Sequence, residues 1–133
     1  MTPRKRTSSP GSEISLKHVY AEPSRGDGTR VLVDRIWPRG MRKEAAQIDT
    51  WLKDIAPTTE LRRWFHHDIA RWPEFERRYR RELTANERSL AVLEDLARHG
   101  RITLLFAAAD IEHNNATVLL DFLRRRLAEP TRS

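Results

Sequence analysis

The stretch Gly28-Thr-Arg-Val-Leu-Val-Asp-Arg-Ile-Trp-Pro-Arg-Gly-Met-Arg-Lys43 constrains the fold of this chain more than any other. Val31, Leu32 and Val33 form an apolar run without alternation, the mark of a strand covered on both faces inside an α/β sheet. Asp34 and Arg35 interrupt that run, and Pro38 stops it because proline cannot donate to a ladder. In open α/β sheets, ligands bind beyond the carboxyl ends of the strands. A carboxylate, two arginines and the Trp37 indole gathered at such an end read as a site rather than as packing.

The rest of the chain fits that frame. Residues 14–20 alternate Ile14, Leu16, His18 and Tyr20 with Ser15, Lys17 and Val19, the period of a strand. Residues 22–28 read as a loop holding Pro23, Gly26 and Gly28. Residues 29–36 form the second strand, and residues 102–106 a third, bounded by Gly100 before and small residues after. Residues 45–55 have helical spacing at Ile48, Trp51, Leu52 and Ile55, although the segment 40–57 leaves room for a short fourth strand. Thr58 or Thr59 offers an N-cap for a helix through Leu61, Trp64 and Phe65. Pro73 opens a long helix to about His99, with Phe75, Tyr79, Leu83, Leu90, Leu93 and Ala97 on its buried stripe. Glu74 with Arg78 and Glu76 with Arg80 support its outer face. A last helix covers about residues 111–127. The expected fold is α/β: a small three-layer Rossmann-like domain with a short, mostly parallel sheet and helices on both faces.

At 133 residues the chain can bury one core of its own. It has no cysteine, which excludes a disulfide framework, a thiolate metal site and a cysteine nucleophile. No apolar run reaches the roughly 20 residues of a membrane helix. The basic N-terminus has no apolar segment behind it to make a secretory signal. A cytoplasmic protein with no membrane partner is therefore expected. Half of the formal charge of +6 comes from Arg4, Lys5 and Arg6, which leaves only a moderately basic remainder. Residues 1–12 are expected to be a disordered basic tail, residues 13–128 a single domain, and residues 129–133 a flexible C-terminus.

A second polar cluster follows the last strand. Ala107-Ala108-Ala109 lets a ligand approach the backbone, and Asp110, His113, Asn114 and Asn115 stand where a helix begins. If its strand neighbours the second one, both clusters share one rim of the sheet. A third cluster, Trp64-Phe-His-His-Asp68, matches no zinc spacing, so no metal is expected; one of its histidines can instead reach the site. Tyr79 lies on the buried stripe, where its hydroxyl needs a partner.

These motifs resemble the bacterial YeaO-like family, a family of unknown function made of small cytoplasmic proteins. The resemblance rests on Arg30-Val-Leu-Val-Asp-Arg-Ile-Trp-Pro-Arg-Gly40, on Phe65-His-His-Asp68 with Phe75 and Tyr79, and on Thr103-Leu-Leu-Phe106 leading to Glu112-His-Asn-Asn-Ala116. It covers about residues 14–127 and implies a compact three-layer α/β domain. It implies no activity. By matching position, the family's shared polar set falls on Asp34, Arg35, Trp37, Pro38, Arg39, Gly40, His67, Tyr79, Asp110, His113 and Asn114. Ala109 departs from the family, which often has a basic residue there.

The expected function is binding of a small phosphorylated or nucleotide-like anion at the carboxyl ends of the strands. Arg35, Trp37, Arg39, Gly40, His67, Tyr79 and Asn114 are the ligand-binding candidates. Asp34, Asp110 and His113 are the candidates for proton exchange, and no cofactor is specified. The alternatives are a basic nucleic-acid-binding accessory protein, using the tail and the arginines of the long helix, and an interaction domain without a ligand.

Overall fold

The computed structural model describes residues 13–128; the expectations for residues 1–12 and 129–133 lie outside that range. Four strands, β1 (Ile14–His18), β2 (Thr29–Leu32), β3 (Thr50–Trp51) and β4 (Ile102–Phe106), form one sheet in the order β1-β4-β2-β3. Every pairing is parallel, with Leu104 opposite Leu16 on one side and Val31 on the other. β4 and β2 are the inner strands, which explains the five buried residues of β4.

Side chains alternate between two faces of the sheet. Ile14, Val31, Val33, Ile102, Leu104 and Phe106 join one core with Leu61 and Phe65 of α2 (Thr59–Phe65), Phe75, Tyr79 and Leu83 of α3 (Trp72–Ala85), Leu90, Leu93 and Ala97 of α4 (Glu87–His99), and Leu119 and Leu123 of α5 (Asn115–Ala128). On the other face Val19, Leu32 and Leu105 pack under Trp37, Met41 and Ile48, next to the single-turn α1 (Lys43–Ala46). The three layers are thus unequal, with the larger helices on one side.

The parallel sheet, the N-cap at Thr58, the buried stripe of residues 75–97 and both outer ion pairs, Glu74 with Arg78 and Glu76 with Arg80, are as expected. Five elements differ. The long helix is two helices, α3 and α4, because Asn86 leaves the helical region (φ −104°, ψ 62°) and its amide donates to the Asp54 carbonyl at 2.7 Å. The predicted helix over 45–55 is instead α1, then β3, then a helical turn at Lys53–Ile55. There Asp49 accepts the Arg30 N–H at 2.8 Å, and this contact draws the segment onto the sheet edge. α5 begins at Asn115 rather than near Ile111, since Asp110 caps the turn ahead of it. β1 and β2 end at His18 and Leu32, short of Tyr20 and Ile36.

Tyr79 is fully buried and its hydroxyl donates to the Ile55 carbonyl at 2.7 Å, so burial holds its phenol well above the usual range. Tyr79→Phe should lower stability by about 1 kcal/mol, the net worth of such a bond. A shift of the denaturation midpoint without a change in slope is the expected reading; an unchanged midpoint would show that the bond contributes nothing.

Candidate functional site

Parallel strands carry their carboxyl ends to one edge, and the two central strands, β2 and β4, end side by side there. The Ala107 N–H, just past β4, donates to Asp34 Oδ2 at 2.9 Å. The Asn115 amide, at the start of α5, donates to the Val33 carbonyl at 3.0 Å. The Trp51 indole N–H donates to the Asp34 carbonyl at 2.7 Å. Segments far apart in sequence are therefore joined directly at the strand ends.

Above this edge lies a cavity of about 580 Å³. That is ample for a small organic ligand. Its lining includes Asp34, Arg35, Trp37 and Arg39 from the β2 end, Ala107, Ala108, His113, Asn114 and Asn115 from the β4 end, and Arg62, Arg63, His66 and His67 from α2 and the turn after it. Phe65, Phe75, Pro38 and Pro57 supply apolar wall. Tyr20 stands at the edge, its hydroxyl donating to the Arg39 carbonyl at 2.7 Å.

The charged groups divide into those held by the protein and those left open. Arg35 donates to the Ala56 and Pro57 carbonyls, both at 3.1 Å, so its guanidinium braces the turn before α2. The side chains of Arg39, Arg62 and Arg63 have no hydrogen bond or ion pair among the described residues. All three are exposed. Asp34 is half-buried and forms no ion pair among the described residues. Burial pushes its carboxyl upward, against the opposing pull of the Ala107 N–H and the Asn115 amide. Close by, His18 Nε2 lies 3.1 and 3.0 Å from the Ala107 and Ala108 carbonyls and donates to them, while its Nδ1 accepts the Tyr20 N–H.

Asp110 and His113 serve the backbone. Asp110 Oδ1 accepts the N–H groups of Glu112 and His113 at 2.9 and 3.0 Å, and Oδ2 meets His113 Nδ1 at 3.0 Å. The N–H of His113, then that of Glu112, holds the carboxyl below its ordinary range. The His113 ring stands edge-on to Trp72 at 5.2 Å. Asn114 is buried, its amide donating to the Asp110 carbonyl at 2.8 Å and its side-chain oxygen capping Thr117. His66 and His67 adopt φ values of 46° and 56° in succession after α2. Two consecutive left-handed non-glycine residues are costly and persist only where the surroundings impose them.

Of the residues singled out in the sequence, Asp34, Arg35, Trp37, Arg39, His67, His113 and Asn114 line the one cavity. Asp110 reaches it through His113, whereas Gly40 and Tyr79 are not in its wall. Gly40 turns the chain with φ 73°, and Tyr79 braces Ile55 from within the core. Arg62, Arg63 and His66 complete the lining and were not among the candidates. On a helical wheel the two arginines look like solvated face, and only the packing of α2 against the sheet end turns them toward the cavity. No group of metal-ligating side chains is present among the described residues. No helix there is long and apolar enough to cross a membrane.

Comparison with known proteins gives relatives and a family. The chain is 41% identical to the uncharacterised protein YeaO of Escherichia coli over 111 residues, which is 84% of this chain and 96% of that protein. It is 39% identical over 115 residues to an uncharacterised protein of Mycobacterium bovis, covering 86% of this chain and 97% of the relative, and equally to one of Mycobacterium tuberculosis. No solved structure matches. The sequence model described as "Inactive DUF488-N3 subclade" matches residues 13–133. With that match over nearly its whole length and YeaO-like proteins among its relatives, the chain belongs to the inactive DUF488-N3 subclade.

Proposed function

We propose that the cavity at the strand ends binds a small anionic ligand carrying a phosphate, and that it binds without converting it. One observation carries the reading: Arg39, Arg62 and Arg63 meet at the cavity with no acidic partner among the described residues. Guanidinium groups suit phosphate oxygens because their forked donors match them. Among the described residues, Asp34 is the only carboxylate in the cavity wall, so the local field favours an anion. The candidates for proton exchange are already engaged. Asp110 caps the turn before α5, His113 leans on Asp110 and Trp72, and one Asp34 oxygen accepts the Ala107 N–H. The word "inactive" in the family's description accords with a binding role. The cytoplasm is the compartment this reading assumes, as the family resemblance implies.

The nucleic-acid reading has less to rest on. Arg77 and Arg78 pair with Glu74, and Arg80 bridges Glu76 and Asp121. Arginines neutralised in this way contribute little to a phosphate footprint.

The test is thermal stabilisation by AMP and by ribose 5-phosphate at low salt. A ligand at 100 times its dissociation constant should add roughly 2.7 kcal/mol of stability. The triple variant Arg39→Ala, Arg62→Ala, Arg63→Ala should lose most of that gain. Its ligand-free melting temperature should stay within about 5 °C of the wild type, because surface changes without partners shift stability by only about 0.5 kcal/mol each. Absence of stabilisation in the wild type, or equal stabilisation in the variant, would remove the proposal.

A further inference from the structure

Asp34 is the group that the anion reading leaves unexplained. A half-buried carboxylate with no cationic partner among the described residues sits in the wall of a cavity otherwise suited to anions. Its Oδ2 accepts the Ala107 N–H, but a carboxylate has about four acceptor positions. The Asn115 amide, which donates to the Val33 carbonyl at 3.0 Å, also supports the carboxylate, and with the Ala107 N–H it fills only part of that capacity. Acceptor capacity therefore faces the cavity, and an anion placed beside it would be repelled.

The two charges lie at different depths. Asp34 stands at the end of an inner strand of the sheet, while Arg39, Arg62 and Arg63 are exposed. The same wall includes Trp37, Pro38, Pro57, Phe65 and Ala107. A ligand that satisfies the whole cavity has a hydrogen-bond donor at its inner end, a flat apolar middle and an anion at its outer end. An amino-bearing nucleobase supplies the first two features, since its ring can lie against aromatic wall. A phosphate on the attached sugar supplies the third.

Building on the proposed anion site, we propose that it selects a nucleoside monophosphate unit whose base carries an exocyclic amino group, with that amino group donating to Asp34 and the phosphate held by Arg39, Arg62 and Arg63. The unit could be a free nucleotide or the 5′-phosphorylated end of an oligonucleotide, since the chemistry recognised is the same. Asp34 is the specificity-determining residue in this arrangement. A hydrogen bond to a charged acceptor in a partly dry site discriminates strongly against an analogue that lacks the donor.

The experiment is calorimetric titration of the full chain with three matched pairs: AMP against purine riboside 5′-monophosphate, GMP against IMP, and CMP against UMP. Each pair differs at an amino group. In at least one pair the amino form should bind about tenfold or more tightly. Asp34→Asn, which keeps an oxygen for the Ala107 N–H but presents an amide donor, should reduce that preference to less than about threefold. Should this variant fail to fold, the wild-type pairs alone decide. Equal binding within every pair, together with weakened binding in the arginine variant, would overturn the role of Asp34 and leave the anion site standing. Absence of binding by all six nucleotides while ribose 5-phosphate still binds would overturn the nucleobase reading in the same way. If ribose 5-phosphate fails as well, both proposals fall. Dinucleotides with and without a 5′-phosphate separate the two sources: tighter binding of the phosphorylated dinucleotide than of the free nucleotide assigns the site to a strand end, and the reverse assigns it to free nucleotide.

Discussion

Gly28→Ala should be among the most damaging single substitutions in this protein. Gly28 has φ 67° and ψ −142°, a region that L side chains rarely enter. A Cβ there would lie 2.2 Å from the Arg101 carbonyl oxygen. That carbonyl cannot retreat freely, because it accepts the Thr29 N–H at 2.9 Å and leads directly into β4. Conformational strain and steric overlap act together, each costing about 1–3 kcal/mol. The melting temperature should fall by about 10 °C or more, given a few degrees per kcal/mol at this chain length. Gly26→Ala is the control, since a Cβ there meets no atom within 4 Å. A Gly28→Ala protein that melts with the Gly26→Ala protein would show that the β2–β4 junction adapts.

Asp27→Ala should cost about 3–5 kcal/mol, the usual consequence of removing one partner from a buried ionic cluster. Asp27 and Arg30 are only 6% and 3% exposed. The carboxylate accepts from Arg30 at 2.6 Å, from Lys17 at 2.8 Å, and from the Ser24 N–H and hydroxyl at 3.0 and 2.9 Å. Arg30 in turn donates to the Ala46 and Gln47 carbonyls, and Thr103 on β4 donates to the Asp27 carbonyl at 2.7 Å. The cluster fastens the β1–β2 connection and the α1 segment beneath the second face of the sheet. Burial opposes the charge on Asp27, but Lys17, Ser24 and Arg30 more than offset it, so its carboxyl sits well below the ordinary value. Because the folded pKa is depressed, the cluster contributes fully above the unfolded value near 4 and its contribution is lost as pH falls below that value. Urea titrations at pH 7 and at pH 3 should therefore show the gap between the wild type and Asp27→Ala narrowing in acid. A gap that stays constant with pH would mean that packing, not charge, accounts for the loss.

The neighbouring carboxylate, Asp34, was visible in the sequence as an interruption of an apolar run, and Asp27 was not. Both sit beside strand β2, yet Asp27 falls in a segment rich in glycine, serine and charge that reads as an exposed loop. What buries it is the short parallel connection from β1 to β2, which must cross β4 to reach its place in the sheet. Arg30 carries the same lesson. One charged residue in a strand gives no sign of which face it occupies or of the carbonyls waiting there. The split of the long helix at Asn86 depends on the distant Asp54 carbonyl, and the strand at Thr50–Trp51 on the Asp49 contact with Arg30.

Elements whose signal is local and repeated are legible in the residues themselves. The apolar strands, the Thr58 cap, the stripe from Phe75 to Ala97 and the polar groups just beyond two strand ends follow from periodicity, capping chemistry and the rule that parallel strands are buried. Tertiary structure alone decided which polar groups are open and which are committed. Arg35 and Arg39 lie four residues apart in one motif, yet the first is held by the Ala56 and Pro57 carbonyls and the second has no partner among the described residues. Arg62 and Arg63 look like ordinary helix surface and become cavity wall only when α2 packs against the strand ends. The difference is physical. Secondary structure responds to neighbours a few residues away, whereas the partner of a guanidinium or a buried carboxylate is set by whatever the fold brings within about 3 Å, from anywhere in the chain.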